Sequence, residues 1–217
     1  MLLTGPWDTG GAGPDETPLP AWMGQRFVRV QDYLDALPSG LDSYPDCLAR
    51  SGLAQSFVEA APRGREWLDP VVAELVPAPV RGWVPEVRFL SALLAVGDAA
   101  GMTDDQLLSW NRETNHALYR GLLYRALMAM FSPAALIERA PGRWASFHRG
   151  TSLSVVPDGP GRAVGVLSYP PRLFTPLLLQ CYVGAFAAGF EHARGHDVTV
   201  ELSSTGEREA RFLARWR

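Results

Sequence analysis

Hydrophobic residues recur every three to four positions along the first two-thirds of the chain. This spacing is typical of helices that bury one face. The predicted helices cover 46–61, 65–76, 85–100, 103–131 and 132–140, after a short strand or helix near 27–37. Thr103, with Gln106 three positions later, has the capping-box pattern that begins a helix. The N-terminal two-thirds is therefore predicted to be helical.

The pattern changes after about residue 150. Alternating apolar residues on both sides of the Gly- and Pro-rich segment 157–161 predict a β-hairpin, and a second hairpin follows over 198–216. Between the hairpins, no charge occurs over 173–190, which suits a buried helix better than a membrane span because Pro176 and Gln180 interrupt it. Its small residues, Gly184 to Gly189, predict close packing of this helix on the sheet.

The order of elements predicts one α+β domain. A helical N-terminal part would pack on an antiparallel sheet built as strand, strand, helix, strand, strand. Residues 1–22 are rich in Gly, Pro, Asp and Thr, which predicts a disordered tail, and the single domain is expected to cover 23–217.

The amino-acid composition excludes several classes of protein function. None of the 20 basic residues is lysine, so a P-loop nucleotidase, a pyridoxal enzyme and a protein kinase are excluded. The net charge of −3 argues against a nucleic-acid partner. Only two cysteines occur, Cys47 and Cys181, which favours a reducing cytoplasm and excludes a cysteine-based metal set.

Four features of the sequence have a chemical interpretation, and each of them also has a simpler structural one. His116 is either a polar contact for a ligand or a core histidine, and the segment His148-Arg149 either binds an anion or fixes a turn. His192 and His196 have the spacing of a helical metal pair, but Gly195 is expected to end the helix between them. Cys47 is either a thiolate near a helix start or a buried thiol.

Several segments together resemble an uncharacterised paralogous family known mainly from myxobacteria. The resemblance spans about 26–217 and is carried by 40–47, 83–87, 123–125, 132–133 and 142–151. The C-terminal order of elements is also similar to the 4-vinyl reductase and haem–nitric-oxide-binding superfamily, whose relatives include hydrocarbon-sensing domains and vesicle-tethering subunits. Its clustered zinc ligands and its Tyr-x-Ser-x-Arg haem motif are missing here, so the resemblance implies no metal and no cofactor.

We therefore expect a non-enzymatic, cytoplasmic regulatory domain that binds a small apolar ligand between helices and sheet. The alternative is a protein-interaction or homodimerisation module whose core is closed and whose partner is a second copy or a signalling protein. A pocket of several hundred cubic ångströms would favour the first. The residues expected to contact the ligand are Trp110, His116, Arg125, Met128, Tyr182 and Phe186.

Overall fold

The structure, a computed structural model, describes residues 27–61, 75, 82–121 and 132–217. The helices are α1 (Val28–Asp35), α2 (Ser51–Glu59), α3 (Glu86–Ala99), α4 (Asp104–Arg120), α5 (Pro133–Phe147) and α6 (Pro176–His192). The strands are β1 (Leu48–Arg50), β2 (Trp83–Pro85), β3 (His148–Arg149), β4 (Ser152–Pro157), β5 (Arg162–Ser168), β6 (Thr199–Thr205) and β7 (Glu209–Arg215). The predicted α+β class and the C-terminal order of strand, strand, helix, strand, strand are confirmed.

Both predicted hairpins are present, and together they form one antiparallel sheet. Its strand order is β4-β5-β7-β6, so the second hairpin adds to the first through β5 and β7. Residues alternate between the two faces of each strand. In β7, for example, Ala210, Phe212 and Ala214 are buried while Arg211 and Arg215 are exposed on the other face. The inner face covers the core.

Helix α6 lies across this inner face, and α4 packs against α6 on the other side. Two of the small residues of α6, Gly184 and Gly189, lie against α4, whereas packing on the sheet was predicted. A Cβ atom added at Gly184 would lie 3.4 Å from Cβ of Arg112, and one at Gly189 would lie 3.6 Å from the Tyr119 hydroxyl oxygen. Glycine at both positions therefore lets the two helices approach closely.

A second, three-stranded sheet with the order β2-β1-β3 was not predicted. The segment expected to start a helix at 46 instead forms β1, which pairs with Trp83–Pro85 and with His148–Arg149. The helix α2 begins only after that strand. Helix α5 also differs from the prediction, because it continues through Pro141 to Phe147 and keeps Ile137 and Trp144 buried on one face.

The long buried helix α3 is anchored to the first helix by Arg29. The guanidinium of Arg29 donates to Asp98 at 2.7 Å and to the backbone oxygen of Met102 at 2.6 Å, and it also contacts Asp104. Burial raises the pKa of Asp98, and the hydrogen bonds from Arg29 oppose that rise. This link fixes α1 against the junction of α3 and α4.

Some predictions fall on residues that the structure does not describe. They are the tail at 1–22, most of the helix at 65–76 and the end of the long helix beyond 121. Across the described ranges, no helix has both the length and the apolar character needed to cross a bilayer.

Candidate functional site

A cavity of about 220 Å³ lies between the inner face of the four-stranded sheet and the helices that cover it. Its walls are mostly apolar side chains from α3, α4, α5, α6 and all four strands of that sheet. An engineered apolar cavity of roughly 150 Å³ stays dry and binds benzene. This cavity is therefore large enough for a molecule built on a single six-membered ring.

Helical spacing explains how α6 supplies one wall. The residues that face the cavity recur at intervals of three and four, and are Leu178, Cys181, Tyr182, Ala185, Phe186, Gly189 and Phe190. Side chains at this spacing lie on one face of a helix. Helix α5 contributes a second wall by the same rule, with Ile137, Ala140 and Trp144 among its lining residues.

The sheet supplies the opposite wall through alternate residues of each strand. Ala163 and Gly165 of β5 and Phe212 and Ala214 of β7 face the cavity, two positions apart in each case. A Cβ atom at Gly165 would meet its nearest neighbours only at 3.8 Å. The small residues of β5 therefore leave the space that larger side chains would fill.

Aromatic rings frame the cavity without filling it. Phe186 contacts Phe212 edge to face, with ring centroids 5.0 Å apart, and Tyr182 lies 5.4 Å from Trp144. Trp144 in turn stacks on the imidazole of His148 at 4.0 Å with an angle of 15° between the rings. These contacts join α5, α6 and the sheet around one apolar space.

A buried carboxylate and a buried imidazole meet beside Trp144, at one end of the cavity. Glu86, the first residue of α3, is 0% exposed, and His148 is 6% exposed. Nδ1 of His148 lies 3.0 Å from Oε2 of Glu86, and the hydroxyl of Tyr182 donates to Oε1 at 3.3 Å. The backbone N–H of Glu86 also donates to the oxygen of Cys47 at 2.7 Å. His148 and Tyr182 line the cavity, so this network adds a polar part to a wall that also contains Asn111 and Asn115.

Burial raises the pKa of both thiols and of one tyrosine in this region. It raises the pKa of Cys181 to about 12 and, with a contribution from nearby Glu86, that of Cys47 to about 11. The pKa of Tyr182 is raised well above its ordinary value by burial and then by Glu86. Cys47 is thus a buried thiol, the plainer of its two interpretations.

The structure brings two of the six predicted ligand contacts to the cavity, Tyr182 and Phe186. Trp110 instead faces α2, where its indole N–H donates to the oxygen of Ala60 at 3.1 Å. Arg125 and Met128 lie outside the described residues.

His116 belongs to a polar cluster between α4 and α6, away from the cavity lining. Its Nε2 lies 3.1 Å from Oε2 of Glu191, and its Nδ1 lies 3.5 Å from Nε2 of His192. Burial and the nearby His116 lower the pKa of His192. Helix α6 ends at His192, before His196, as predicted. The described residues contain no group of three side chains placed to hold a metal.

The sequence did not predict that Glu86 and His148 form a buried pair. A glutamate in the first turn of a helix ordinarily serves the helix dipole in solvent, so its sequence position indicates nothing unusual. The hydrophobic residues around it, Val84 and Val87, were the available signal for burial. In the structure, His148 contacts the carboxylate of Glu86. It lies in β3 and pairs with Ala49.

The chain matches no known protein family, and no curated protein matches it in sequence. The resemblance to the myxobacterial family therefore stays a prediction.

Solved structures of H-NOX domains are similar to the chain in three dimensions. An oxygen-binding H-NOX domain related to soluble guanylate cyclases, in its oxygen complex, has a TM-score of 0.57 and 8% identity over 77% of this chain and 95% of its own. An H-NOX structure that addresses heme distortion has the same values. The Fe(II) unliganded H-NOX protein from K. algicida has a TM-score of 0.53 and 13% identity over 77% and 96%. Identities this low establish the fold alone, and the chain has an H-NOX-like α+β fold.

Proposed function

We propose that the chain is a non-enzymatic regulatory domain that binds a small apolar ligand in the cavity between α4, α5, α6 and the four-stranded sheet. The observation that carries this proposal is the cavity itself. Protein interiors are ordinarily close-packed, and a space of about 220 Å³ framed by aromatic rings is large for an unused void. The shared fold with the oxygen-binding H-NOX domain supports a role in ligand sensing.

Haem, the group named for one of the similar H-NOX structures, does not fit the described residues. The free volume of about 220 Å³ lies below the roughly 300–1,000 Å³ of ordinary small-molecule sites, and a tetrapyrrole is larger than most ligands of such sites. Phe186 and Phe212, which both line the cavity, contact each other edge to face with ring centroids 5.0 Å apart. His116 is engaged by Glu191 outside the cavity. No step is therefore assigned to haem.

The chemistry of the described residues supports a binding role without catalysis. Both cysteines are buried, with pKa values of about 11 for Cys47 and about 12 for Cys181, so neither is an activated thiolate. The alternative function, a protein-interaction or homodimerisation module, was expected to have a closed core. The cavity of about 220 Å³ is smaller than the several hundred cubic ångströms expected for a ligand site, but it has room for a single six-membered ring and so favours the ligand-binding domain.

Toluene is a suitable probe because it is apolar and close to benzene in size. We expect it to raise the melting temperature of the wild-type protein in a saturable way, because a ligand that binds only the folded state stabilises it. Ala185 faces the cavity and is replaced by leucine in the test variant. Ala145→Leu is the matched control, since that residue is exposed on α5.

The proposal predicts that toluene stabilises the wild type and Ala145→Leu but not Ala185→Leu. Circular dichroism without toluene establishes that each variant is folded. If toluene leaves the wild type unchanged, or stabilises all three proteins equally, the cavity is not the binding site and the interaction-module alternative is favoured.

A further inference from the structure

A buried pair of ionisable side chains, such as Glu86 and His148, is unusual in an apolar core. A buried ion pair is often no more stabilising than well-packed hydrophobic side chains of similar size. The carboxylate of Glu86 is nevertheless fully buried and accepts hydrogen bonds from two side chains. Neither group is explained by the packing of an apolar ligand alone, which points to a role at the cavity.

The pair fixes which atom of the imidazole remains available. Nδ1 lies 3.0 Å from the Glu86 carboxyl group, so this nitrogen is occupied by that hydrogen bond whichever of the two groups carries the proton. Stacking on Trp144 holds the plane of the ring, and Tyr182 holds the carboxylate from its other oxygen. Both residues therefore position His148.

The remaining nitrogen, Nε2, has no hydrogen-bond partner among the described residues. In the described ranges, Ser91 Oγ is the sole completely buried side-chain nitrogen or oxygen atom that lacks a hydrogen-bond partner. Because Nε2 of His148 lacks a partner and is not such an atom, it is not completely buried. His148 is 6% exposed and lines the cavity, so this space is where a ligand would reach Nε2.

We propose that Nε2 of His148 is the polar recognition point of the cavity, and that the ligand is a small apolar molecule with one hydroxyl group. This inference rests on the proposed function and adds a chemical class to it. A hydroxyl group matches Nε2 in either protonation state of the imidazole, because it both donates and accepts hydrogen bonds. A charged ligand would have to leave water for a mostly apolar space, at a large cost.

Cyclohexanol and methylcyclohexane test the proposal, because they have similar shapes and differ by a hydroxyl for a methyl group. Competition with toluene gives the dissociation constant of each. We expect the wild type to bind cyclohexanol roughly three- to tenfold more tightly, after correction for the different hydration of the two probes, as one added hydrogen bond provides.

The double variant Glu86→Leu/His148→Phe removes both buried partners together, which avoids leaving a lone buried charge. It should bind methylcyclohexane and lose the preference for the alcohol. A preference that persists in this variant assigns recognition to another group, such as Asn111, and overturns the proposal.

A measurement on the wild type alone does not depend on the folding of the variant. In protein with ¹⁵N-labelled histidine, cyclohexanol should shift the Nε2 resonance of His148, and methylcyclohexane should leave it nearly unchanged. The other three histidines provide internal controls. Equal binding of both probes with no shift at Nε2 overturns this inference but leaves the cavity as a binding site. Failure of both probes to bind overturns the proposed function as well.

Discussion

At the scale of single residues, the histidines of this chain show how local partners decide what a side chain can do. His116 and His148 are both partly or fully buried and both contact a glutamate. His116 lies in a polar cluster that reaches solvent, whereas His148 borders the apolar cavity. The same residue type therefore serves helix packing in one place and is available to a ligand in the other.

The polar cluster makes stability sensitive to acid. Burial and His116 lower the pKa of His192 in the folded protein, so the unfolded chain binds the proton more readily. Stability should therefore fall as the pH drops below about 6.5, the ordinary histidine value, and the loss continues until the folded His192 is protonated. Chemical denaturation at several pH values between 7 and 5 measures this dependence.

The variant His192→Gln should lose part of that pH dependence. The same substitution at His196, which is exposed, serves as the control. An unchanged slope in His192→Gln would contradict the assignment of the acid sensitivity to the cluster between α4 and α6.

At the scale of elements, the strands around the Glu86–His148 pair depend on one tight turn. Gly150 has a φ of 72°, and a Cβ atom there would lie 2.7 Å from both the backbone oxygen of Asp46 and Sγ of Cys47. The turn thus holds β3, which contains His148, in close contact with the segment before β1.

Replacing Gly150 by alanine should destabilise the protein. The left-handed backbone alone costs about 1–3 kcal/mol for a residue with a side chain, and the clash with Cys47 adds to it. Gly142→Ala on α5 is the control, because it meets open space in a helix and should raise stability by up to about 1 kcal/mol. Urea denaturation compares the two. Equal stability in both variants would show that the turn does not constrain β1 and β3.

Elements with local signals could be predicted from the sequence. The capping box of Thr103 and Gln106 is present at the start of α4, and both hairpins form where alternation and turn residues indicated them. The three-stranded sheet could not be predicted, because β1 has three residues and its partners lie far along the chain. Helix α5 passes Pro141 because Ile137 and Trp144, on either side of it, are both buried on the same face.

At the scale of the whole molecule, the site depends on contacts between distant segments. Tyr182 and Phe186 could be predicted because they lie on a helix that carries no charge over 18 positions. Glu86 and His148 are 62 residues apart and meet only because β1 aligns β2 and β3 on its two sides. Nothing local to either residue indicates the other, so the polar end of the cavity became visible only in the folded chain.

The most direct test of the central claim is the mass of the protein under native conditions, compared with its mass after denaturation. A ligand retained in the cavity would add mass to the wild type that is lost on denaturation, and the addition should be absent from Ala185→Leu, in which leucine occupies part of the space. The same extra mass in both proteins would place any bound molecule elsewhere. A bare chain mass for freshly isolated wild-type protein, even with added cyclohexanol, would contradict a ligand-binding cavity.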